Sequence, residues 1–219
     1  MAAERVAVFL RGLGLEHADP ALVARTSWLA LEEAMRRARA TDLVEPDYGE
    51  VTRTALLGLG LDLGRGDAAS LLEASYISGI EGGKAAYRDA TSTLTALRER
   101  GFRLGIVTNR AFGGERFRED LREAGLEIGW EAEAVSVEVG YLKPHPAIFR
   151  AALDQLAVPA AETLMVGNSL AEDVAGAQRM GMAAAWRRSA PDAEGVIPEF
   201  TFDELSDLLG VPELASPDA

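Results

Sequence analysis

Three short stretches hold the residues whose types and spacing could do chemistry. GIVTN ends an apolar run in Thr108-Asn109, which gathers a hydroxyl, a side-chain amide and free backbone N–H groups at one point. Such a group can hold phosphate oxygens, although a strand that merely ends in a turn uses the same residue pair. GYLKPHPAIF sets Lys143 before Pro144, with His145 and Pro146 opening a helix. Of 22 lysines and arginines only Lys84 and Lys143 are lysines, and an ammonium is a compact point charge for a phosphoryl group where a guanidinium is a planar fork. A lone lysine on the surface is otherwise simply solvated. MVGNSLAEDVAGAQRMGM puts Gly167-Asn168 at a strand end, followed by Ser169, Glu172 and Asp173. Ser169 and Glu172 have capping-box spacing, so Glu172 is expected to close a helix start. That cap does not use Asp173, which is left to support a hard cation such as magnesium through oxygen ligation.

The elements that must position these residues follow from periodicity. Residues 2–13 place Val6, Phe9, Leu10 and Leu13 at helical spacing with Gly14 as a stop, and residues 18–40 read as a longer helix after Asp19-Pro20. VTRTALLGLGLDLG repeats the pattern, with a helix ending at Gly60. From residue 87 the chain alternates helix TSTLTALRERG, strand FRLGIVTN, helix GERFREDLREAG, strand AEAVSV, helix HPAIFRAALDQLA, strand TLMVGN, helix LAEDVAGAQRMG and strand MAAAWRR. Short apolar runs alternating with amphipathic helices predict an α/β fold, a doubly wound parallel sheet with helices on both faces. Ligands bind such sheets beyond the carboxyl ends of the strands, where Thr108 and Asn168 fall. A helix near FDELSDLLG and a frayed tail complete the expected organisation: a helical segment 1–84, an α/β core 85–210 and a tail 211–219.

Composition bounds the partners. Thirty-five acids against 22 bases leave a net charge of −13, which repels nucleic acid and anionic membranes at long range and still allows a small anion in a local positive pocket. No apolar run approaches the length of a membrane helix. MAAERVAVFL lacks the basic flank and cleavage site of a secretory signal, and there are no cysteines. Both features favour the cytoplasm. Homo-oligomerisation is left open. Arg36, Arg37 and Arg39 could meet an anionic substrate, but an exposed helix face accounts for them more simply.

In order and spacing the three stretches resemble the haloacid dehalogenase-like hydrolase superfamily. GIVTN matches its second motif, LKP its third, and GNSLAEDVAGAQRMGM its fourth, which usually reads Gly-Asp-Ser-x-x-x-Asp before a helix and Gly-Met. The resemblance covers about 87–188 closely, and 1–84 looks like the family's helical cap. It implies a Rossmann-like core and a magnesium-dependent (Mg2+) phosphatase of a small phosphorylated metabolite. Thr108 and Asn109 would bind phosphate, Lys143 would neutralise the nucleophile and the phosphoryl group, and Asn168 and Asp173 would serve the metal. A non-catalytic protein that binds phosphate, a nucleotide or another protein is the competing expectation.

The resemblance breaks at the first motif. The family attacks phosphorus with the first acid of Asp-x-Asp-Gly-Thr, on a strand ahead of the cap, and this chain contains no Asp-x-Asp. VAVFLRGLGL (6–15) could be read as that strand without its acids, but its spacing favours a helix. In relatives the missing strand lies between those of GIVTN and TLMVGN, so two apolar strands are expected to lack a common neighbour. The notional nucleophile is expected upstream of Met1, which leaves this chain itself inactive. Asn168 stands where the family usually has an acid, which weakens a hard-cation site without abolishing it.

Overall fold

The computed structural model describes residues 2–216, so part of the expected frayed tail, 217–219, lies outside the described residues. The chain forms two compact units, Met1–Gly83 and Lys84–Ala219. Among the described residues no helix is long and apolar enough to cross a membrane.

The first unit is helical: α1 (Ala2–Gly12), α2 (Pro20–Ala40), α3 (Tyr48–Leu57) and α4 (Arg65–Ala74). Local chemistry sets the helix starts. Asp19 accepts hydrogen bonds from the N–H groups of Ala21 (2.9 Å) and Leu22 (3.3 Å), with Pro20 at the first helical position. Asp47 accepts from Glu50 N (3.1 Å) at the start of α3. Gly14 and Gly60 take the positive φ values of 71° and 76° that end the turns after α1 and α3. VAVFLRGLGL is therefore helical through Gly12, with Val6 and Leu10 on its buried face. They pack with Val23, Leu56, Leu61 and Leu71, and each such aliphatic side chain contributes about 1.5 to 3 kcal/mol on full burial. On α2, Arg36 and Arg37 both pair with Glu33, at 2.7 and 2.6 Å. These hydrogen bonds, Arg36 first and then Arg37, pull the Glu33 carboxyl down to about 2.

The second unit is α/β and Rossmann-like. It runs α5 (Ala90–Glu99), β1 (Gly105–Thr108), α6 (Gly114–Glu123), β2 (Ala132–Val135), α7 (Ser136–Val139), α8 (Pro146–Leu156), β3 (Leu164–Gly167), α9 (Ala175–Arg179), β4 (Ala183–Arg187) and β5 (Phe200–Phe202). Its main core gathers Ile148, Phe149, Met165, Val174, Ala177 and Ala184.

Three features depart from the expected elements. The strand AEAVSV stops at Val135, because the Ser136 hydroxyl accepts from Arg110 N (2.9 Å) and turns the chain into α7. β5 was not anticipated: FTF is too short to show a period, and it forms on the open side of β4, where Glu199 N donates to Ala184 O (3.0 Å). FDELSDLLG forms a 3-10 helix, Leu205–Gly210, rather than an α-helix.

All strand pairs are parallel, but the sheet is in two pieces, β1-β2 and β3-β4-β5. Among the described residues β1 and β3 thus each keep one unpaired edge. Register shows which groups lie there. Glu133 donates its N–H to Gln155 Oε1 (3.0 Å) and accepts from Gln155 Nε2 (3.2 Å), so its partner Ile106 directs its own N–H and C=O at β2. Alternation leaves those of Gly105 and Val107 on the open side. On β4, Ala184 turns its N–H and C=O to Glu199, so its partner Met165 faces β4, and Leu164 and Val166 face the opening. Gly105 and Val166 are exposed, whereas β2 is largely buried and so are Ala184 and Ala185 of β4.

Candidate functional site

The carboxyl ends of β1 and β3 carry the site. Thr108 is the last residue of β1 and Asn168 the first beyond β3, while Lys143 lies in the loop from α7 to α8, just before a cis Lys143–Pro144 bond. His145 starts α8, its Nδ1 accepting from Ala147 N at 3.2 Å.

Asp173 is the hub. It is 4% exposed, and its Oδ1 accepts from Lys143 Nζ at 2.7 Å while its Oδ2 accepts from the N–H groups of Asn168 and Ser169, both at 3.0 Å. Gly167 is required here: a Cβ at that position would fall 2.2 Å from Asp173 Oδ2. Gly176 permits a second close approach, since its Cβ would lie 2.6 Å from the Phe149 ring. These two glycines let the loop and α9 seat against the lysine.

The expected cap is rearranged. Ser169 Oγ does accept from Glu172 N (2.9 Å), but the Glu172 carboxylate does not reach back to Ser169 N. Asp173 takes that N–H, so the residue expected to stand clear of the cap completes it. The cause is a π-helical turn over Leu170–Val174, with Val174 N donating to Ser169 O at 3.1 Å. One wide turn rotates 173 toward the loop and sends Glu172 across to Asn109 Nδ2 (3.1 Å).

Asn109, expected to bind phosphate, spends its side chain on bracing the lysine. Its Oδ1 accepts from Lys143 N (2.6 Å), and its Nδ2 donates to Lys143 O (3.2 Å) as well as to Glu172. The groups left available are therefore the Thr108 hydroxyl, the Asn168 side-chain amide and the remaining N–H donors of Lys143, none of which has a further partner among the described residues. A third support was not signalled in the sequence. Asp192 accepts from Ser169 Oγ (2.5 Å) and Ala171 N (3.1 Å), while Trp186 Nε1 (3.0 Å) and Ser189 Oγ (2.9 Å) both donate to Asn168 O. Partial burial would raise the Asp192 carboxyl, but the Ser169 and Ala171 hydrogen bonds outweigh it and hold the group below the usual carboxylate range.

For a hard cation the site offers the Asp173 carboxylate and the Asn168 side-chain oxygen, and the described residues hold no group of three or more acidic, His or Cys side chains. Magnesium keeps several waters and uses one or two carboxylates together with phosphate oxygens, so the pair fits part of such a site. Lys143 beside Asp173 gives the pocket a positive member for an anion.

Over 131 residues the chain is 34% identical to a glyceraldehyde 3-phosphate phosphatase of Methanopyrus kandleri, covering 57% of this chain and 55% of that protein. It is 34% identical over 124 residues to a phosphoserine phosphatase of Thermus thermophilus, covering 56% and 49%. The chain thus spans about half the length of the curated relatives it matches. Among solved structures, a HAD phosphatase from Thermococcus onnurineus aligns with TM-score 0.57 and 26% identity over 96% of this chain and 87% of that one. A 2-haloacid dehalogenase from Pseudomonas syringae aligns with TM-score 0.64 and 24% identity over 100% and 92%, a likeness of fold. A family model for haloacid dehalogenase-like hydrolases matches residues 20–181. Matched by that family model over most of its length, the chain belongs to the haloacid dehalogenase-like hydrolases.

Proposed function

We propose that this chain carries the phosphate- and metal-binding half of a magnesium-dependent phosphomonoester hydrolase acting on a small phosphorylated metabolite. The attacking carboxylate comes from a strand that is not among these 219 residues. The observation that carries the reading is the Asn109–Lys143–Asp173 network between two open strand edges. It holds an ammonium and a free hydroxyl where a phosphoryl group would sit. The similarity to phosphatases of glyceraldehyde 3-phosphate and phosphoserine supports the substrate class.

In this reading Thr108 donates its hydroxyl to a phosphoryl oxygen and Lys143 offsets the charge that builds between the incoming carboxylate and phosphorus. Asp173 aims the Lys143 side chain, and Asn109 fixes the backbone that carries it. Asn168 and Asp173 would hold the magnesium, which would neutralise phosphoryl charge. The carboxylate oxygen forms a bond to phosphorus as the alcohol oxygen leaves, and water later cleaves the acyl-phosphate. The helical unit serves as the cap that selects the substrate.

The test is phosphate binding before turnover. Inorganic phosphate titrated into this chain with magnesium should bind, and Lys143→Met should weaken it by about tenfold or more, the equivalent of one strong charged contact. Magnesium-dependent phosphate release from a generic phosphomonoester should be absent. Release that Asp173→Ala abolishes would place the nucleophile within these residues and overturn that part of the proposal. A second reading, a non-catalytic phosphate-binding protein, is favoured by Asn168 in place of an acid and predicts phosphate binding that does not respond to magnesium.

A further inference from the structure

Helix α2 carries a feature unrelated to the loops at the strand ends. Its buried face is Val23, Ser27, Leu31 and Ala38, and the helical period turns Leu22, Arg25, Trp28, Leu29 and Glu32 to the opposite, exposed side. Leu22, Trp28 and Leu29 are 47%, 42% and 52% exposed. A single exposed leucine is ordinary, but a tryptophan with two leucines on one stripe is a surface that gains from being covered. Arg25 and Glu32 bracket Trp28 and Leu29 on the same stripe. Arg36 and Arg37 take Glu33 as their ion-pair partner, whereas the side chains of Arg25 and Glu32 have no partner among the described residues. The two ends of the helix also differ in charge: Glu16 and Asp19 stand at its start, and Arg36, Arg37 and Arg39 at its end.

We infer that this face of α2 binds the same face of a second copy of the chain, the two helices antiparallel about a two-fold axis that passes between Trp28 and Leu29. A two-fold interface must be self-complementary, because every contact between one residue and another forms twice. With the axis there, Trp28 packs on Leu29 of the partner subunit. Arg25 and Glu32 lie equally far from the axis, so each Arg25 meets Glu32 of the partner subunit. The basic end of each helix falls against the acidic start of the other, and the helix dipoles run in opposite directions. A parallel pairing would instead set arginine on arginine and glutamate on glutamate, which repels. The net charge of −13 opposes approach at long range. At physiological ionic strength charges more than about 8 Å apart are screened, while pairs in contact keep their attraction. A 21-residue helix is about 30 Å long, so one stripe from each copy makes an interface at the small end of the range, below about 1,200 Å² in total. Such a dimer comes apart on dilution.

Sedimentation velocity of the whole chain over a dilution series, in about 0.15 M salt, should show a monomer–dimer equilibrium. Arg25→Glu alone, or Glu32→Arg alone, should weaken the dimer by about tenfold or more, since each places two like-charge pairs in the interface. An equimolar mixture of these two variants should recover the dimer, and so should a chain carrying both substitutions, to within about threefold of the original. Recovery of that kind separates loss of pairing from loss of folding. Trp28→Ala should weaken association to a similar extent, as removal of a central aromatic anchor does. A monomer at every concentration overturns the proposal and leaves the face to a different partner or to solvent. A dimer that ignores both single substitutions overturns this face as the interface, and a doubly substituted chain that stays monomeric overturns the antiparallel register.

Discussion

Lys143 and Asp173 show how far burial raises the stakes of a single pair. Their side chains are 12% and 5% exposed and meet at 2.7 Å. Asp173 also satisfies two backbone N–H groups, whereas the lysine has no other acid within reach among the described residues. Removing the acid strands a buried ammonium and two donors. Asp173→Ala should therefore destabilise the α/β unit by about 3 kcal/mol, and Lys143→Met by about 1 kcal/mol, since Asp173 keeps its N–H partners. Urea titration of both variants checks the order, and equal losses would contradict it. Gly167→Ala acts on the same hub from the other side. Its Cβ would fall on the Asp173 carboxylate, so the loop must shift, at a cost of about 2 kcal/mol, read as a lower denaturation midpoint with unchanged slope.

Among the elements, the loop after β4 and the start of α3 each hang on one titratable group. Asp192 latches its loop to Ser169 and Ala171, and its carboxyl is held low. A group with a depressed folded value stabilises above its unfolded value, about 4, and loses that contribution as pH falls through the folded one. Proteolytic nicking of residues 188–196 should accordingly rise at acid pH, and Asp192→Asn should show that susceptibility at neutral pH. Tyr48 runs the other way. Burial, and then the hydrogen bond to Glu45 (2.5 Å), push its hydroxyl above the ordinary tyrosine value. Its contribution is fully present below about 10 and is lost as pH rises beyond. Thermal unfolding of the helical unit followed from pH 8 to 11 should show a decline that Tyr48→Phe lacks.

On the scale of the whole molecule, the split sheet leaves the α/β unit short of the pairing that its central strands would otherwise have. Anything that binds the folded unit and not the unfolded chain stabilises it by mass action, about 2.7 kcal/mol at a hundredfold excess over Kd. Inorganic phosphate with magnesium should raise the melting temperature of this unit in proportion to the logarithm of its concentration. A melting temperature that ignores phosphate would contradict binding at Thr108 and Lys143. The net charge of −13 keeps separate copies apart at low ionic strength, which favours measuring that shift in dilute salt.

The sequence by itself determined the order of elements wherever a period was long enough to read. The Val6–Leu10 face of α1, the Asp19-Pro20 start of α2 and the alternation that makes β1, β3 and β4 are all local patterns, set by side-chain spacing and backbone capping. It also determined that no Asp-x-Asp precedes the GIVTN strand. Only the tertiary structure decided what each site residue does. Asn109 braces Lys143, Asp173 closes the cap in place of Glu172, and Asp192 arrives from a distant loop. A π-turn changes the phase of a helix by a fraction of a turn, and hydrogen bonds between residues tens of positions apart leave no mark on local periodicity. β5 stayed hidden for the same reason: three residues carry no period, and what makes them a strand is the free edge of β4.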